Sequence, residues 1–187
     1  ASMNDEHIIQ LYFARDEDAI RETDTAYGKR LHTLAKNILQ NREDAEESVN
    51  DTYYSAWKLI PPRRPQRFST FLGKITRNLA IDRWRKNTAE KRGKGETQLL
   101  LDELAECVAG SESPETELLR KELTASLNRF LRKLPEKDRT VFLLRYYYAG
   151  TKEDIARKTG LSSNQVKYIL QKVRKQLADT LKKEGLQ

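Results

Sequence analysis

The chain has 187 residues, 34% of them charged and 37% hydrophobic, with a formal net charge of +7, which allows one or two soluble domains of ordinary size. Cys107 is the only cysteine and the two histidines stand apart, so neither a disulfide nor a cysteine-rich zinc site is available, and no metal or cofactor is expected. No apolar run approaches the roughly 18 residues that span a bilayer, and no secretory signal opens the chain once Ala1 and Ser2, read as a cloning remnant ahead of Met3, are set aside; the expectation is a cytoplasmic protein without membrane insertion.

Residues 1 to 60 are acidic, with 7 basic and 12 acidic side chains. Within them Tyr27, Leu31, Leu34, Ala35, Ile38 and Leu39 recur at helical spacing. After a turn and cap at Asn41 to Asp44 the pattern returns in Ala45, Val49, Tyr53, Ala56, Trp57 and Ile60. On this second helix Glu47, Asp51 and Tyr54 follow one another at spacings of four and three, so two carboxylates and an aromatic share one exposed face suited to a basic partner. Residues 61 to 95 reverse the sign, with 11 basic and 2 acidic side chains. Pro61, Pro62 and Pro65 fix backbone angles and remove donors, so 61 to 67 is a loop, carrying Arg63, Arg64 and Arg67. Ser69 is expected to cap the next helix, in which Phe71, Leu72, Ile75, Leu79 and Ile81 alternate with Lys74, Arg77, Asn78, Asp82, Arg83 and Arg85. That helix has an apolar and a cationic side. Asp82 either joins the polar face or pairs with a nearby arginine, and Trp84 either packs or stacks.

From Asn87 to Pro114 the periodicity weakens, apart from a short helix expected at Leu99 to Leu104. Residues 96 to 118 carry 7 acidic side chains and no basic one, and with Gly93, Gly95, Gly110, Ser111, Ser113 and Pro114 they read as a tether. Residues 119 to 187 are basic again, 17 against 7. A helix from Glu115 carries Leu118, Leu123, Leu127, Phe130, Leu131 and Leu134 up to Pro135, and another runs from Lys137 to Tyr148 with Val141, Phe142, Leu144 and Arg145. Residues 151 to 175 then have the pattern of a helix-turn-helix. Thr151 can cap its first helix, Gly160 ends it, and Ser162 with Gln165 forms a capping box for the second. Val166, Ile169, Leu170, Val173 and Leu177 make one inward stripe, which leaves Ser163, Asn164, Lys167, Tyr168, Gln171, Lys172 and Arg174 to reach base edges and phosphates. The fold expected is all-α, two helical domains (4–87 and 115–187) joined by a flexible acidic linker (88–114). Two separate basic blocks point to two contacts with a polyanion, because each neutralised phosphate releases counterions. No Walker loop, zinc-ligand set or nucleophile elbow is present, so a binding protein rather than an enzyme is expected.

Three stretches resemble the bacterial RNA polymerase sigma factors of the two-domain extracytoplasmic-function type: DAEESVNDTYYSAW (44–57), FSTFLGKITRNLAIDRWRKN (68–87) and LRKLPEKDRTVFLLRYYYAGTKEDIARKTGLSSNQVKYILQKVRKQL (131–177). The resemblance implies a promoter-specificity subunit. Glu47, Asp51 and Tyr54 would meet the clamp coiled coil of core RNA polymerase. Arg63, Arg64, Arg67 and Phe68 of the loop, with Lys74, Arg77, Asn78, Arg83 and Arg85, would bind and hold open the non-template strand of the minus-ten element, where a cationic track and a base pocket are needed. The helix from Ser163 to Arg174 would enter the major groove of the minus-thirty-five element. Leu134, Val141, Phe142 and Tyr146 would either cover a hydrophobic flap of the polymerase or serve as core. A membrane-bound inhibitory anti-sigma factor is a further partner that the resemblance allows. Two departures stand out: Phe71 replaces a frequent tryptophan, and Asn164 to Ile169 keeps the family's valine and lysine but not its arginine. A free-standing helix-turn-helix regulator acting on duplex DNA without polymerase is the competing reading.

Overall fold

The structure, a computed structural model, describes residues 3–90, 96–107 and 117–186, and every regular element among them is a helix. The chain divides into two compact units, Ala1–Gly93 and Lys94–Gln187.

The N-terminal unit contains α1 (Met3–Phe13), α2 (Asp18–Leu39), α3 (Arg42–Leu59) and α4 (Phe68–Glu90), with α2, α3 and α4 packed on one another and α1 against α2. The first of these was not anticipated from sequence: it is short and its apolar residues crowd into its second half, where Ile8, Ile9 and Tyr12 are sealed from solvent. The expected turn before α3 is present, the Asn41 side chain accepting the Asp44 N–H at 3.0 Å. Phe68 lies at the centre of an aromatic cluster, its ring centroid 6.1 Å from Tyr12 and 5.7 Å from Tyr27. Two pairs of buried hydroxyls meet, Tyr12 with Thr23 and Thr52 with Thr76, both at 2.8 Å. Arg15 lies 3.8 Å from the Trp57 ring and donates to the carbonyls of Trp57 and Ile60, fastening the end of α3 to the loop after α1. Because α4 begins at Phe68, with the Phe71 N–H on the Arg67 carbonyl, Ser69 sits inside the first turn rather than at the cap.

The C-terminal unit contains α5 (Glu96–Cys107), α6 (Glu117–Lys133), α7 (Glu136–Phe142), a wide π-turn (Leu143–Tyr147), α8 (Lys152–Thr159) and α9 (Ser163–Lys183). Four helices, α5 to α8, pack on α9. Its stripe Val166, Ile169, Leu170, Val173 and Leu177 is buried as expected, extended by Leu181. The helix expected to run to Tyr148 is α-helical only to Phe142. Beyond it the Tyr148 N–H reaches the Leu143 carbonyl at 3.0 Å, a five-residue span. The short helix expected within the acidic segment is longer, and it lies against α9 with Leu100 and Cys107 buried. That part of the segment therefore belongs to the C-terminal unit. Residues 91–95 and 108–116 of the expected tether and of the helix start at Glu115 lie outside the described residues.

Candidate nucleic-acid and partner interfaces

On α3 the three residues expected to meet a basic partner share a solvent face: Tyr54 is 61% exposed with the Lys58 ammonium 4.2 Å above its ring, and the Glu47 and Asp51 side chains are 61% and 51% exposed. Beside them a groove of about 810 Å³ opens between α2 and α3, lined by Asp24, Glu46, Asn50, Tyr53 and Trp57 among others. Asp24 accepts the Tyr53 hydroxyl at 2.6 Å, and burial together with this bond pushes the Tyr53 phenol up. Trp57 is half-buried and covered by Arg15, so it belongs to the packing more than to the face.

The expected DNA track divides in two. Arg63, Arg64 and Arg67 project from the proline loop into solvent, Arg64 pairing with Glu6 and lying 5.3 Å from the Phe13 ring. On α4, Lys74, Asn78 and Arg85 are exposed and Arg77 is half-buried beside them, with Arg85 3.9 Å from Asp82. Two expected members are elsewhere. Phe68 is 0% exposed and supports the loop from beneath instead of reaching a base. Arg83 turns to α3, where its guanidinium lies 2.7 Å from Glu47, 3.3 Å from Asp44 and 3.8 Å from Asp51. The hydrogen bond from Arg83 holds the Glu47 carboxyl below the usual carboxylate range. The helical period carries a signal for this placement: nine residues separate Lys74 from Arg83, about two and a half turns at 3.6 residues per turn, so the two leave α4 on opposite sides.

In the C-terminal unit the helix-turn-helix is built as its sequence specifies. The Thr151 hydroxyl accepts the Asp154 N–H at 3.1 Å, Gly160 takes the left-handed φ of 71°, and Ser162 and Gln165 exchange side-chain bonds with each other's backbone N–H at 3.1 and 2.9 Å. Ser163, Asn164, Lys167, Tyr168 and Gln171 are exposed along α9, Tyr168 at 65%. Lys175, which the sequence reading passed over, is also exposed, one turn beyond Gln171. Lys172 is half-buried, its ammonium 2.8 Å from Asp138 and 5.8 Å from the Tyr168 ring. Arg174, expected toward solvent, is drawn under α5: it lies 3.4 Å from Glu103 and donates to the Tyr146 hydroxyl at 2.8 Å.

Glu103 is the hub of that contact. It accepts from Arg145 at 3.4 Å and from the Tyr146 hydroxyl at 2.7 Å, with the Lys152 ammonium 3.7 Å away. Burial pushes its carboxyl up, but the Tyr146 bond and the neighbouring arginines outweigh it and hold the group below the usual range. Leu134, Val141, Phe142 and Tyr146 are all buried, with the Phe142 and Tyr146 rings tilted at 57° and their centroids 4.8 Å apart, so in this structure they are core. Among the described residues no group of three or more His, Cys, Asp or Glu side chains is arranged to hold a metal, and no helix is long and apolar enough to cross a membrane.

The pattern described as Sigma-70 region 2 matches residues 24–90, and that described as Sigma-70, region 4 matches residues 124–177. Over 134 residues, 70% of this chain and 72% of its relative, the sequence is 31% identical to the ECF RNA polymerase sigma factor SigW of Bacillus subtilis. It is 26% identical over 159 residues to the ECF RNA polymerase sigma factor SigE of Mycolicibacterium smegmatis, covering 85% of this chain and 60% of that protein. A probable RNA polymerase sigma factor, RfaY of Xanthomonas campestris, is 27% identical over 151 residues, 80% of this chain and 37% of that one. A solved structure of CnrH in complex with the cytosolic domain of CnrY aligns with 96% of this chain and 97% of its own at 20% identity and a TM-score of 0.44, too low to bear on the argument.

Proposed function

The chain belongs to the extracytoplasmic-function sigma factors of the sigma-70 family, transcription initiation factors that bind core RNA polymerase and direct it to promoters, and on that premise we propose which of its surfaces carries each task. The α3 face of Glu47, Asp51 and Tyr54 docks on a basic surface of the polymerase, the clamp coiled coil. Its carboxylates sit apart from any DNA track. Arg63, Arg64 and Arg67 with Lys74, Arg77, Asn78 and Arg85 hold the opened minus-ten strand. The Ser163 to Gln171 stretch of α9, joined by Lys172 and Lys175, enters the major groove of the minus-thirty-five element. The protein contributes no catalysis of its own and acts in the cytoplasm, where polymerase and promoters are. An anti-sigma factor, which the family membership suggests, would silence it by covering the exposed α3 face.

The observation that carries this assignment is the sorting of charge around α4. Lys74, Asn78 and Arg85 point to solvent on one side, while the opposite side packs on the helix that bears Glu47 and Asp51. One small unit thus presents an acidic and a basic surface on separate faces. Family matches to both regions, in order along the chain, disfavour a free-standing duplex-DNA regulator. The test is co-elution with bacterial core RNA polymerase from the source organism on size exclusion. Wild-type protein is expected to co-elute and the double change Glu47→Lys, Asp51→Lys to abolish it. Undiminished binding by the double variant would remove α3 from the docking surface.

A further inference from the structure

We propose that Arg83 is a positioning residue of the polymerase-docking face and not a member of the DNA track; this rests on the reading of Glu47 and Asp51 as that face. The guanidinium reaches from α4 to three carboxylates of α3, at 2.7 Å to Glu47, 3.3 Å to Asp44 and 3.8 Å to Asp51. Its side chain is 25% exposed, whereas those of Glu47 and Asp51 are 61% and 51% exposed, so the cation lies on the inner side of the carboxylates and leaves their outer sides to solvent.

The three acids are not equivalent. Asp44 is used up within the fold: its N–H is capped by Asn41 at 3.0 Å, one oxygen meets Arg83 and the other accepts from the Asn87 amide at 3.0 Å. Glu47 accepts a hydrogen bond from Arg83 through one oxygen at 2.7 Å, Asp51 brings one oxygen to 3.8 Å as an ion pair without a hydrogen bond, and their second oxygens have no partner among the described residues. A carboxylate held through one oxygen keeps its charge and its outward lone pairs, but loses the rotamer freedom that an incoming lysine or arginine would otherwise have to remove. The two carboxylates also lie four residues apart on one helix, a spacing at which like charges repel, and a cation between them suppresses that repulsion. Arg83 therefore presets a pair of acceptors one helical turn apart for a basic helix of the partner. Its stem lies on the core-facing side of α4, in line with Leu72, Thr76 and Ala80, which are all 0% exposed, and this direction takes it away from Lys74 and Asn78.

The test measures the affinity of Arg83→Ala and Arg83→Lys for core RNA polymerase at several salt concentrations, beside the binding of fork-junction DNA by polymerase saturated with each variant. Thermal unfolding of each variant is recorded in parallel. The expected result is polymerase binding weakened on the order of fivefold in Arg83→Ala, the size a partly exposed charge network supports, partly restored in Arg83→Lys, with a salt dependence in Arg83→Ala at least as steep as in wild type because the face becomes more negative. Unchanged or tighter polymerase binding would overturn the proposal. So would a defect confined to fork DNA, which would return Arg83 to the DNA track. An equal loss in both variants that tracks lowered thermal stability would reduce Arg83 to a folding role. Should Glu47→Lys, Asp51→Lys bind polymerase as wild type does, the docking face itself is misplaced; should that variant fail while Arg83→Ala binds normally, only the role of Arg83 falls.

Discussion

At the scale of single residues, the largest electrostatic commitment is Glu103. Its carboxylate, with a side chain 12% exposed, compensates the fully buried Arg145 and the mostly buried Arg174. Glu103→Gln keeps the shape but leaves those guanidinium groups facing a neutral amide. The C-terminal unit is expected to lose about 2 kcal/mol, readable in urea unfolding, since removing one member of a buried charge cluster strands the others. The pH dependence has a definite sign. The folded carboxyl is held below its ordinary range, so the unfolded chain binds more protons in acid. The stabilisation is complete above the ordinary carboxylate value of about 4.3 and fades as pH falls through the lower folded value. Glu103→Gln should lack that acid-side slope; an unchanged slope would mean other carboxylates carry it. Arg174 shows why this network was not legible from sequence. By helical period it shares a stripe with Ser163 and Lys167, and only the presence of α5 above it draws its guanidinium inward. The same period separates Arg83 from Lys74, contrary to the single cationic face expected, but that α3 lies on that side to receive it is decided by the fold.

At the scale of elements, caps and turns carry specificity. The Ser162–Gln165 box satisfies two N–H groups at the start of α9, the end that also bears Ser163, Asn164 and Lys167. Ser162→Ala is expected to destabilise the C-terminal unit by about 1 kcal/mol, measured by thermal unfolding, and to weaken binding of minus-thirty-five duplex by the holoenzyme. Loss of stability with DNA binding intact would show that the helix start is not part of the reading surface. Gly160→Ala meets no steric neighbour, since open space surrounds the position, but its φ of 71° costs an L-residue about 1 kcal/mol. Both devices could be read from spacing alone, because caps and left-handed turns depend on residues three or four apart. The limit of α7 could not: Lys137 to Tyr148 has an unbroken helical pattern, yet the Leu143–Tyr147 turn widens where Arg145 is pulled to the Gly150 carbonyl and to Glu103.

At the scale of the molecule, α5 alters what counts as the C-terminal domain. Leu100 and Cys107 are buried and Glu103 is bonded, so the acidic segment contributes core. A fragment beginning at residue 96 is expected to melt at least about 5 °C above one beginning at residue 117, the shift that a loss of 1 kcal/mol produces in a unit of this size. Equal melting temperatures would mean that α5 contributes nothing to the unit. Lys74→Ala with Arg85→Ala should leave polymerase co-elution intact while lowering open-complex formation on a matched promoter, with a flatter salt dependence, because two phosphate contacts are removed. Loss of co-elution would show that these cations belong to the docking surface.

The amino-acid sequence by itself determined the all-helical class, the alternation of acidic and basic surfaces, the capped helix-turn-helix and the exposed triad on α3. Each follows from periodicity, charge and residues within one or two turns of each other. The tertiary structure decided where three of the side chains expected on the DNA-binding surfaces point. Phe68 goes inward because Tyr12 and Tyr27 enclose it, Arg83 crosses to α3, and Arg174 turns under α5. These outcomes depend on partners 36 to 71 residues away for the two arginines, as with Glu47 and Glu103. A local pattern can say that a side chain is cationic or aromatic. Which surface it serves is set by the helix folded against it.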